Sequence, residues 1–317
     1  MKKTLALFCL FITAFSGVNA QTRKLENGVV KIEAKPEKGF YSCYLLVLPD
    51  SVKDKDKAKT VFVIPNNSGK IADNIEVQEK DAFMTAGQMR TIVNMLQTPA
   101  LIPVFPRTES DWQIYTHALD RDVMTTNKKE LRRTDLQLIA MLNDAKEILD
   151  NKGIKTGKKI FMMGFSASGM FTNRFAMLHP ELIKAAAIGS PGGMPMVPVN
   201  SYNGVSLRYP IGTADLKEIT SAPLKLELLY NLPLYFYLGN EDNNDSVVYR
   251  DSFEQEDEDL IMANFGKTLQ ERWNICKKLY ADAGLKNSRF VSYPGAGHQI
   301  TEEMKKDLIQ FFVQNLE

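Results

Sequence analysis

The segment that most constrains the fold of this chain is a short apolar run, residues 160–163, which stops at Gly164. A helical pattern of apolar residues begins soon afterwards, with Met170 and Phe171 at its start. Ser166 lies between the run and the helical pattern. A strand, a sharp turn and a helix with a serine at the tip form the arrangement of a nucleophile elbow. Ser166 is therefore the candidate nucleophile, and the turn is expected to hold it in a strained conformation.

The residues two positions on either side of the serine test this interpretation. They approach each other closely in such a turn, so both must be small; here they are Gly164 and Ser168. The usual pattern is G-x-S-x-G, so Ser168 departs from it while keeping the steric rule. If Ser168 were the nucleophile, Met170 would occupy a flank that needs a very small side chain. That register is rejected.

The first 20 residues have the pattern of a secretory signal peptide. Lys2 and Lys3 precede an apolar stretch over residues 5–15, and small residues end at Ala20. This pattern predicts cleavage after Ala20 and a periplasmic or secreted protein. Residues 1–20 are too short and wrongly flanked for a membrane anchor, and no later run is apolar enough to span a bilayer.

Charge and ligand spacing argue against several classes of partner. The net charge is +1, and removing Lys2 and Lys3 leaves −1 for the mature chain. Such a value argues against nucleic acid or an anionic membrane held by bulk electrostatics. No paired-His or Cys-x-x-Cys spacing and no glycine-rich phosphate loop is present, so no metal and no cofactor are expected. The acidic run over residues 254–259 is interpreted as the solvated start of a helix.

Residues 21–317 alternate between short β-rich runs and long helical patterns, which predicts a single α/β domain. The fold class is a mostly parallel, eight-stranded sheet with helices on both faces. The predicted strands are residues 29–34, 41–48, 60–64, 101–105, 160–163, 185–188, 234–238 and 290–293. The predicted helices are residues 81–96, 129–150, 167–178, 256–283 (with a break near Gly266) and 301–315.

Two cysteines remain after processing, Cys43 and Cys276. Their elements are expected toward opposite sides of the sheet, so both are predicted to be buried free thiols. Two connections, residues 107–127 and 191–231, are too long for simple turns. Loops of that kind at strand ends either form a ligand site or pack as surface excursions, and both possibilities stay open here.

Ser166 on its elbow, with eight strands in this order, resembles the α/β-hydrolase fold over nearly all of the mature chain. Within that superfamily the chain is most similar to secreted esterases of the polyhydroxybutyrate-depolymerase and feruloyl-esterase kind. This narrower resemblance depends on residues 209–215 and 239–245. It implies a secreted serine hydrolase that cleaves a small-molecule or polymer carboxylic ester through an acyl-enzyme intermediate.

A serine hydroxyl needs a base to remove its proton, and the chain has three histidines. His298 lies in a glycine-rich loop between the last strand and the last helix, where the superfamily places its base. His179 ends the helix after the elbow and is more simply a residue that interacts with the helix dipole. His117 lies in the first long connection, with no strand end to fix it. His298 is the candidate base.

The base needs a carboxylate to orient it. Asp242 follows Gly239 by three residues at the end of a predicted strand, as the acid of the superfamily commonly does. Asp245 could reach the same place in a wider turn, so both stay open and Asp242 is favoured. The order Ser166, Asp242, His298 is the order that this fold requires.

The oxyanion formed during attack needs backbone donors. The first is the N–H of Ala167. The second comes from the loop after the third predicted strand, where Pro65 has no N–H and either Asn66 or Asn67 must supply it; Asn67 is favoured. Two other functions are considered: a peptidase of the same fold, which usually carries a large extra domain, and a catalytically inactive binding protein, which an intact Ser, Asp and His disfavours.

Overall fold

The computed structural model describes residues 22–24, 28–53, 56–67 and 69–316. The predicted signal peptide and its cleavage point lie outside these residues. The strands of the main sheet are β1 (Thr22–Lys24), β2 (Val29–Ile32), β3 (Tyr44–Val47), β4 (Lys59–Val63), β5 (Ala100–Pro103), β6 (Thr156–Phe165), β7 (Ile183–Gly189), β10 (Leu234–Gly239) and β11 (Ser288–Tyr293). A separate small hairpin contains β8 (Ser201–Tyr202) and β9 (Val205–Ser206).

The main sheet has the order β1-β2-β3-β5-β4-β6-β7-β10-β11. The neighbouring strands β5, β4, β6, β7, β10 and β11 pair in parallel. Strands β1, β2 and β3 form an antiparallel edge, and β3 is antiparallel to β5. All eight predicted strands are present, and β1 extends the edge as a ninth within the described residues. The mostly parallel sheet predicted from the alternating pattern is confirmed. Strands such as β3 and β5 are buried throughout because helices cover both faces.

The helices are α1 (Glu76–Leu96), α2 (Arg121–Thr125), α3 (Thr134–Asn151), α4 (Ala167–Leu178), α5 (Leu216–Thr220), α6 (Leu226–Leu229), α7 (Gln255–Asn264), α8 (Leu269–Asp282) and α9 (Glu302–Gln314). Helices α1 and α9 pack on one face of the sheet, and α3, α4 and α8 pack on the other. Cys43 belongs to the first layer and Cys276 to the second, and both are buried and free. The prediction of two unpaired thiols is confirmed.

Two predicted helix starts are wrong, because α1 begins at Glu76 rather than at residue 81 and α3 also begins elsewhere, whereas the predicted break near Gly266 is confirmed. The pattern over residues 256–283 is two helices, separated at Gly266, which has a φ of +104° that favours glycine. Thr268 then starts α8, because its side chain accepts a hydrogen bond from the Glu271 N–H in a capping box. The predicted start of α3 at residue 129 is wrong: the helix begins at Thr134, after Arg133 takes a left-handed conformation with φ 49°.

The two long connections pack against each other. Arg121 of the first donates from Nη1 to the carboxylate of Asp215 at 2.6 Å and to the carbonyl oxygen of Tyr209 at 2.9 Å, both in the second. Around these residues, the contacts support the interpretation that the connections pack on the surface rather than form a ligand site. Across the described ranges, none of the helices combines the length and apolar character needed to cross a bilayer.

Candidate active site

Ser166 lies directly after β6 and before the first residue of α4. Its φ of 61° and ψ of −127° are a strained conformation for a residue with a side chain. Hydrogen bonds on both sides hold this conformation: the Ser166 N–H donates to the carbonyl of Gly189 at 2.9 Å, and the Met170 N–H donates to the carbonyl of Ser166 at 3.0 Å. The strained turn expected from the sequence is present.

The two small flanks of the serine have different roles. A Cβ on Gly164 would lie 2.0 Å from the carbonyl oxygen of Ser168, so this position requires glycine. The Ser168 hydroxyl makes two hydrogen bonds with Phe165, accepting from its N–H and donating to its carbonyl, both at 2.9 Å. The departure from the usual glycine therefore adds polar contacts within the turn, which the sequence did not indicate.

His298 and Asp242 meet at the carboxyl ends of β11 and β10. Nδ1 of His298 lies 2.9 Å and 3.1 Å from the two carboxylate oxygens of Asp242. Because a carboxylate only accepts, Nδ1 carries the proton and Nε2 keeps its lone pair in the neutral ring. Burial alone would raise the pKa of Asp242, but hydrogen bonds from His298 and from the Asn244 N–H lower it below its usual value.

Asp245, the alternative acid, has a different partner. It forms an ion pair with Arg272, with an Nη1–Oδ1 distance of 2.8 Å and a second, shorter contact from Nη2. It also accepts from the N–H of Val247. The fold thus brings Asp242 to His298 and directs Asp245 to the fully buried guanidinium of Arg272.

The two asparagines in the loop after β4, Asn66 and Asn67, make different contacts. Asn66 is buried, and its amide both donates to the Phe105 carbonyl and accepts from the Phe105 N–H, each at 3.0 Å. Asn67 is exposed, and its Nδ2 donates to the carbonyl of Phe165 at 2.9 Å. In the hydrogen bonds that join described residues, the backbone N–H groups of Asn67 and Ala167 are not used as donors. Asn67 is thus tied to the residue that precedes Ser166.

No protein-family profile matches the sequence, and no curated protein matches it. Solved structures do match. Poly(aspartic acid) hydrolase-1 from Sphingomonas sp. KT-1 is 16% identical, with 84% of this chain and 92% of that chain covered and a TM-score of 0.56. The poly(3-hydroxybutyrate) depolymerase LpqC from Bordetella parapertussis is 15% identical, with 86% and 85% covered and a TM-score of 0.56. Siderophore hydrolase EstA from Aspergillus nidulans is 12% identical, with 98% and 99% covered and a TM-score of 0.52.

The chain has the α/β-hydrolase fold. This conclusion comes from the strand order together with these structural likenesses, and at such low identities the likenesses show the fold alone.

The other two histidines of the chain have partners outside the Asp242–His298 pair. His117 is fully buried, with Nε2 2.8 Å from the Phe105 carbonyl oxygen, and burial lowers its pKa to about 4. His179 lies 2.8 Å from a carboxylate oxygen of Asp135. The helix-dipole interpretation of His179 is therefore incomplete, because a buried carboxylate binds the ring as well.

Asn244 contacts both members of the pair and was missed in the sequence. Its backbone N–H donates to Asp242 Oδ1 at 3.0 Å, and its side-chain Nδ2 lies 2.9 Å from Nε2 of His298. An acidic residue that binds the N–H two positions later forms an Asx turn. An Asx turn of this kind could have been predicted from the sequence. The contact of Asn244 with His298 could not, because that contact joins two separate loops.

The candidate nucleophile and the candidate base are both partly accessible to solvent. Ser166 is half-buried, and the side chain of His298 is 25% exposed. The Phe165 ring packs beside the His298 ring with centroids 4.8 Å apart. Two cavities of about 210 and 350 Å³ lie against the connection over residues 107–127, and neither has Ser166 or His298 in its lining. Within the described ranges, no cluster of three or more His, Cys, Asp or Glu residues could hold a metal ion.

Proposed function

We propose that the chain is a serine hydrolase that cleaves carboxylic esters through an acyl-enzyme, with Ser166 as nucleophile, His298 as base and Asp242 as the orienting acid. The observation that carries the proposal is the contact between His298 Nδ1 and Asp242 at 2.9 Å, at the same edge of the sheet as the strained Ser166. A histidine held in one tautomer by a buried carboxylate, at the same sheet edge as a serine on an elbow, is what nucleophilic catalysis by serine needs.

The mechanism follows from these atoms. The Ser166 oxygen attacks the ester carbonyl while its proton moves to Nε2 of His298, and the carbonyl electron pair moves onto oxygen. When the tetrahedral species collapses, the bond to the alcohol breaks and the leaving oxygen takes the proton from Nε2. Water then repeats the same steps on the acyl group and releases the acid. Asp242 supports the imidazolium formed in each half-reaction.

The proposed oxyanion hole consists of the backbone N–H groups of Ala167 and Asn67. Ala167 begins α4, so its N–H points out of a helix N-terminus, where negative charge is favoured. The hydrogen bond from the Asn67 side chain to the Phe165 carbonyl supports the choice of Asn67, since it holds that backbone next to the elbow. The buried amide of Asn66 instead links the loop to Phe105.

A bulky or polymeric ester is the proposed substrate class. The half-exposed Ser166 and His298 support this proposal because a long chain needs access to the nucleophile from the surface. Two of the similar structures are named as hydrolases of polymers, of which poly(aspartic acid) is linked by amides and poly(3-hydroxybutyrate) by esters. A polymer substrate outside the cell also agrees with the proposed export through residues 1–20.

Labelling with a fluorophosphonate probe tests the proposal, because only an activated serine reacts. The purified protein is expected to be labelled and the Ser166→Ala variant to remain unlabelled. A panel of acetyl, butyryl, feruloyl and polyester substrates, with peptide amides of matching size, then separates an esterase from a peptidase. A folded wild-type protein that resists the probe would favour the inactive binding protein and overturn the proposal.

A further inference from the structure

The accepting atom of the proposed base already has a partner. Nδ2 of Asn244 lies 2.9 Å from Nε2 of His298, while Asp242 holds Nδ1 of the same ring. Because Nδ1 carries the proton, the amide of Asn244 donates its N–H to the lone pair of Nε2. Among the described residues, the carboxylate of Asp242 forms the ion pair with this ring, and the aromatic ring of Phe165 packs beside it.

Nε2 has a single lone pair, so it accepts one strong hydrogen bond at a time. In the proposed mechanism that lone pair must receive the proton of Ser166. Among the described residues, the hydroxyl of Ser166 takes part in no hydrogen bond with His298, and the amide of Asn244 is at Nε2 instead. The two donors therefore compete for the same atom.

We propose that Asn244 is a positioning residue that occupies Nε2 of His298 in the resting site and withdraws before Ser166 can transfer its proton. The inference depends on the proposed function, since it concerns the same base. While it is bound, Asn244 favours the neutral ring with its proton on Nδ1, which is the form that the reaction needs. While Asn244 is bound, Nε2 of His298 cannot accept the proton of Ser166, so the base is blocked until substrate displaces the amide.

The side chain of Asn244 contacts His298 and its backbone contacts Asp242, so a substitution can remove the first contact and keep the second. The backbone N–H donates to Asp242 Oδ1 at 3.0 Å, and this bond survives any substitution except proline. Asn244→Ala therefore removes only the amide at Nε2. Asn244→Asp replaces a donor with an acceptor, which favours the protonated ring. The neighbouring Asn243 is exposed and has the same side chain, so Asn243→Ala is a matched control.

The measurement is the second-order rate of labelling by a fluorophosphonate, for wild type and the three variants. Asn244→Ala should react about two- to tenfold faster, the factor that corresponds to loss of one typical hydrogen bond. Asn244→Asp should react at least about tenfold more slowly, because a charge-assisted hydrogen bond then holds the protonated ring. Asn243→Ala should match wild type. In 15N spectra of labelled histidine, the Nε2 resonance of His298 should move in Asn244→Ala and stay unchanged in Asn243→Ala.

Opposite changes in rate distinguish this role from a structural one. If Asn244→Ala and Asn244→Asp both slow labelling, or neither changes it, Asn244 is part of the turn alone and the inference fails while the proposed function stands. If wild type and Asn244→Ala both fold and both resist the probe, the proposed function fails and this inference with it. Should Asn244→Ala not fold, Asn244→Ser, whose hydroxyl is too short to reach Nε2, provides the same comparison.

Discussion

Asp242 and His298 are in direct contact, with a carboxylate oxygen 2.9 Å from Nδ1, although 56 positions separate them in the chain. Their strands, β10 and β11, are parallel neighbours, so both residues leave the sheet at the same edge. Gly239 permits the close approach of the two loops: a Cβ there would lie 2.0 Å from the carbonyl oxygen of Ala296. The contact therefore depends on a glycine outside the pair as well as on the pair itself.

Ser166→Ala is expected to abolish acyl-enzyme formation and to lower kcat by about 10³–10⁶, with the fold retained. His298→Ala should cost a comparable factor, and the double variant little more, because the two residues act as a unit. Steady-state kinetics with an ester substrate measure this. Ser168→Ala is the control; it loses hydrogen bonds within the turn but not the attacking group. If Ser168→Ala lost activity while Ser166→Ala kept it, the register of the elbow would be wrong.

Asp242→Asn and Asp245→Asn should have different consequences. Asp242→Asn is expected to lower kcat by about 10²–10⁴, because an amide no longer holds the ring in one tautomer. Asp245→Asn should leave the labelling rate within a few-fold of wild type. It should instead reduce the free energy of unfolding by about 3 kcal/mol, since Arg272 would stay buried without its partner charge. Steady-state kinetics and urea denaturation of both variants measure these effects. If Asp242→Asn kept full activity and Asp245→Asn lost it, Asp245 would be the acid that orients His298.

Gly164→Ala should disrupt the elbow. Its new methyl group would lie 2.0 Å from the Ser168 carbonyl oxygen and 2.6 Å from the Thr172 hydroxyl, and backbone cannot shift there without moving Ser166. We expect a lower Tm and loss of probe labelling. Gly87→Ala is the matched control, because that glycine is exposed within α1 and, apart from its chain neighbours and the backbone of its own helix, no atom lies within 4 Å of an added Cβ. It should raise stability by about 0.5–1 kcal/mol and leave labelling unchanged.

His117 is expected to make folding sensitive to acid. Burial lowers its pKa to about 4, from about 6.5 in the unfolded chain, so the unfolded state binds a proton first as pH falls. Wild type should lose about 3 kcal/mol of stability between pH 6.5 and pH 4 through this group alone. Burial also raises the pKa of Asp120 to about 7, which acts in the opposite direction over the same range.

Comparison with a His117→Gln variant isolates the histidine, because Asp120 is common to both proteins. Urea denaturation from pH 7 to pH 4 should show the stability of wild type falling more steeply than that of the variant. Parallel curves would mean that His117 is protonated equally in the folded and unfolded states.

Export should remove residues 1–20 and leave Gln21 as the first residue. The basic start, the apolar stretch and the small residues before Ala20 are the reason. N-terminal sequencing and intact mass of the exported protein measure this. A mature form that still begins at Met1, or one with a lipid on Cys9, would contradict it.

The sequence alone determined the parts of this protein that depend on local periodicity. The eight strands, α4, the break near Gly266 and the strained turn at Ser166 follow from apolar spacing and from glycines, which act over a few residues. The order of the strands then placed the candidate nucleophile, acid and base at one edge of the sheet. Their catalytic roles stay predictions.

Only the tertiary structure decided which side chains meet. Asp242 and Asp245 are three residues apart and look alike in the sequence, yet one faces His298 and the other faces Arg272. Asn244 reaches Nε2 of His298 for the same reason. Such choices depend on the conformations of two loops at once, where a rotation of one residue redirects a carboxylate by several ångströms. Periodicity contains no information about that rotation, and burial and hydrogen bonding between distant segments decide it.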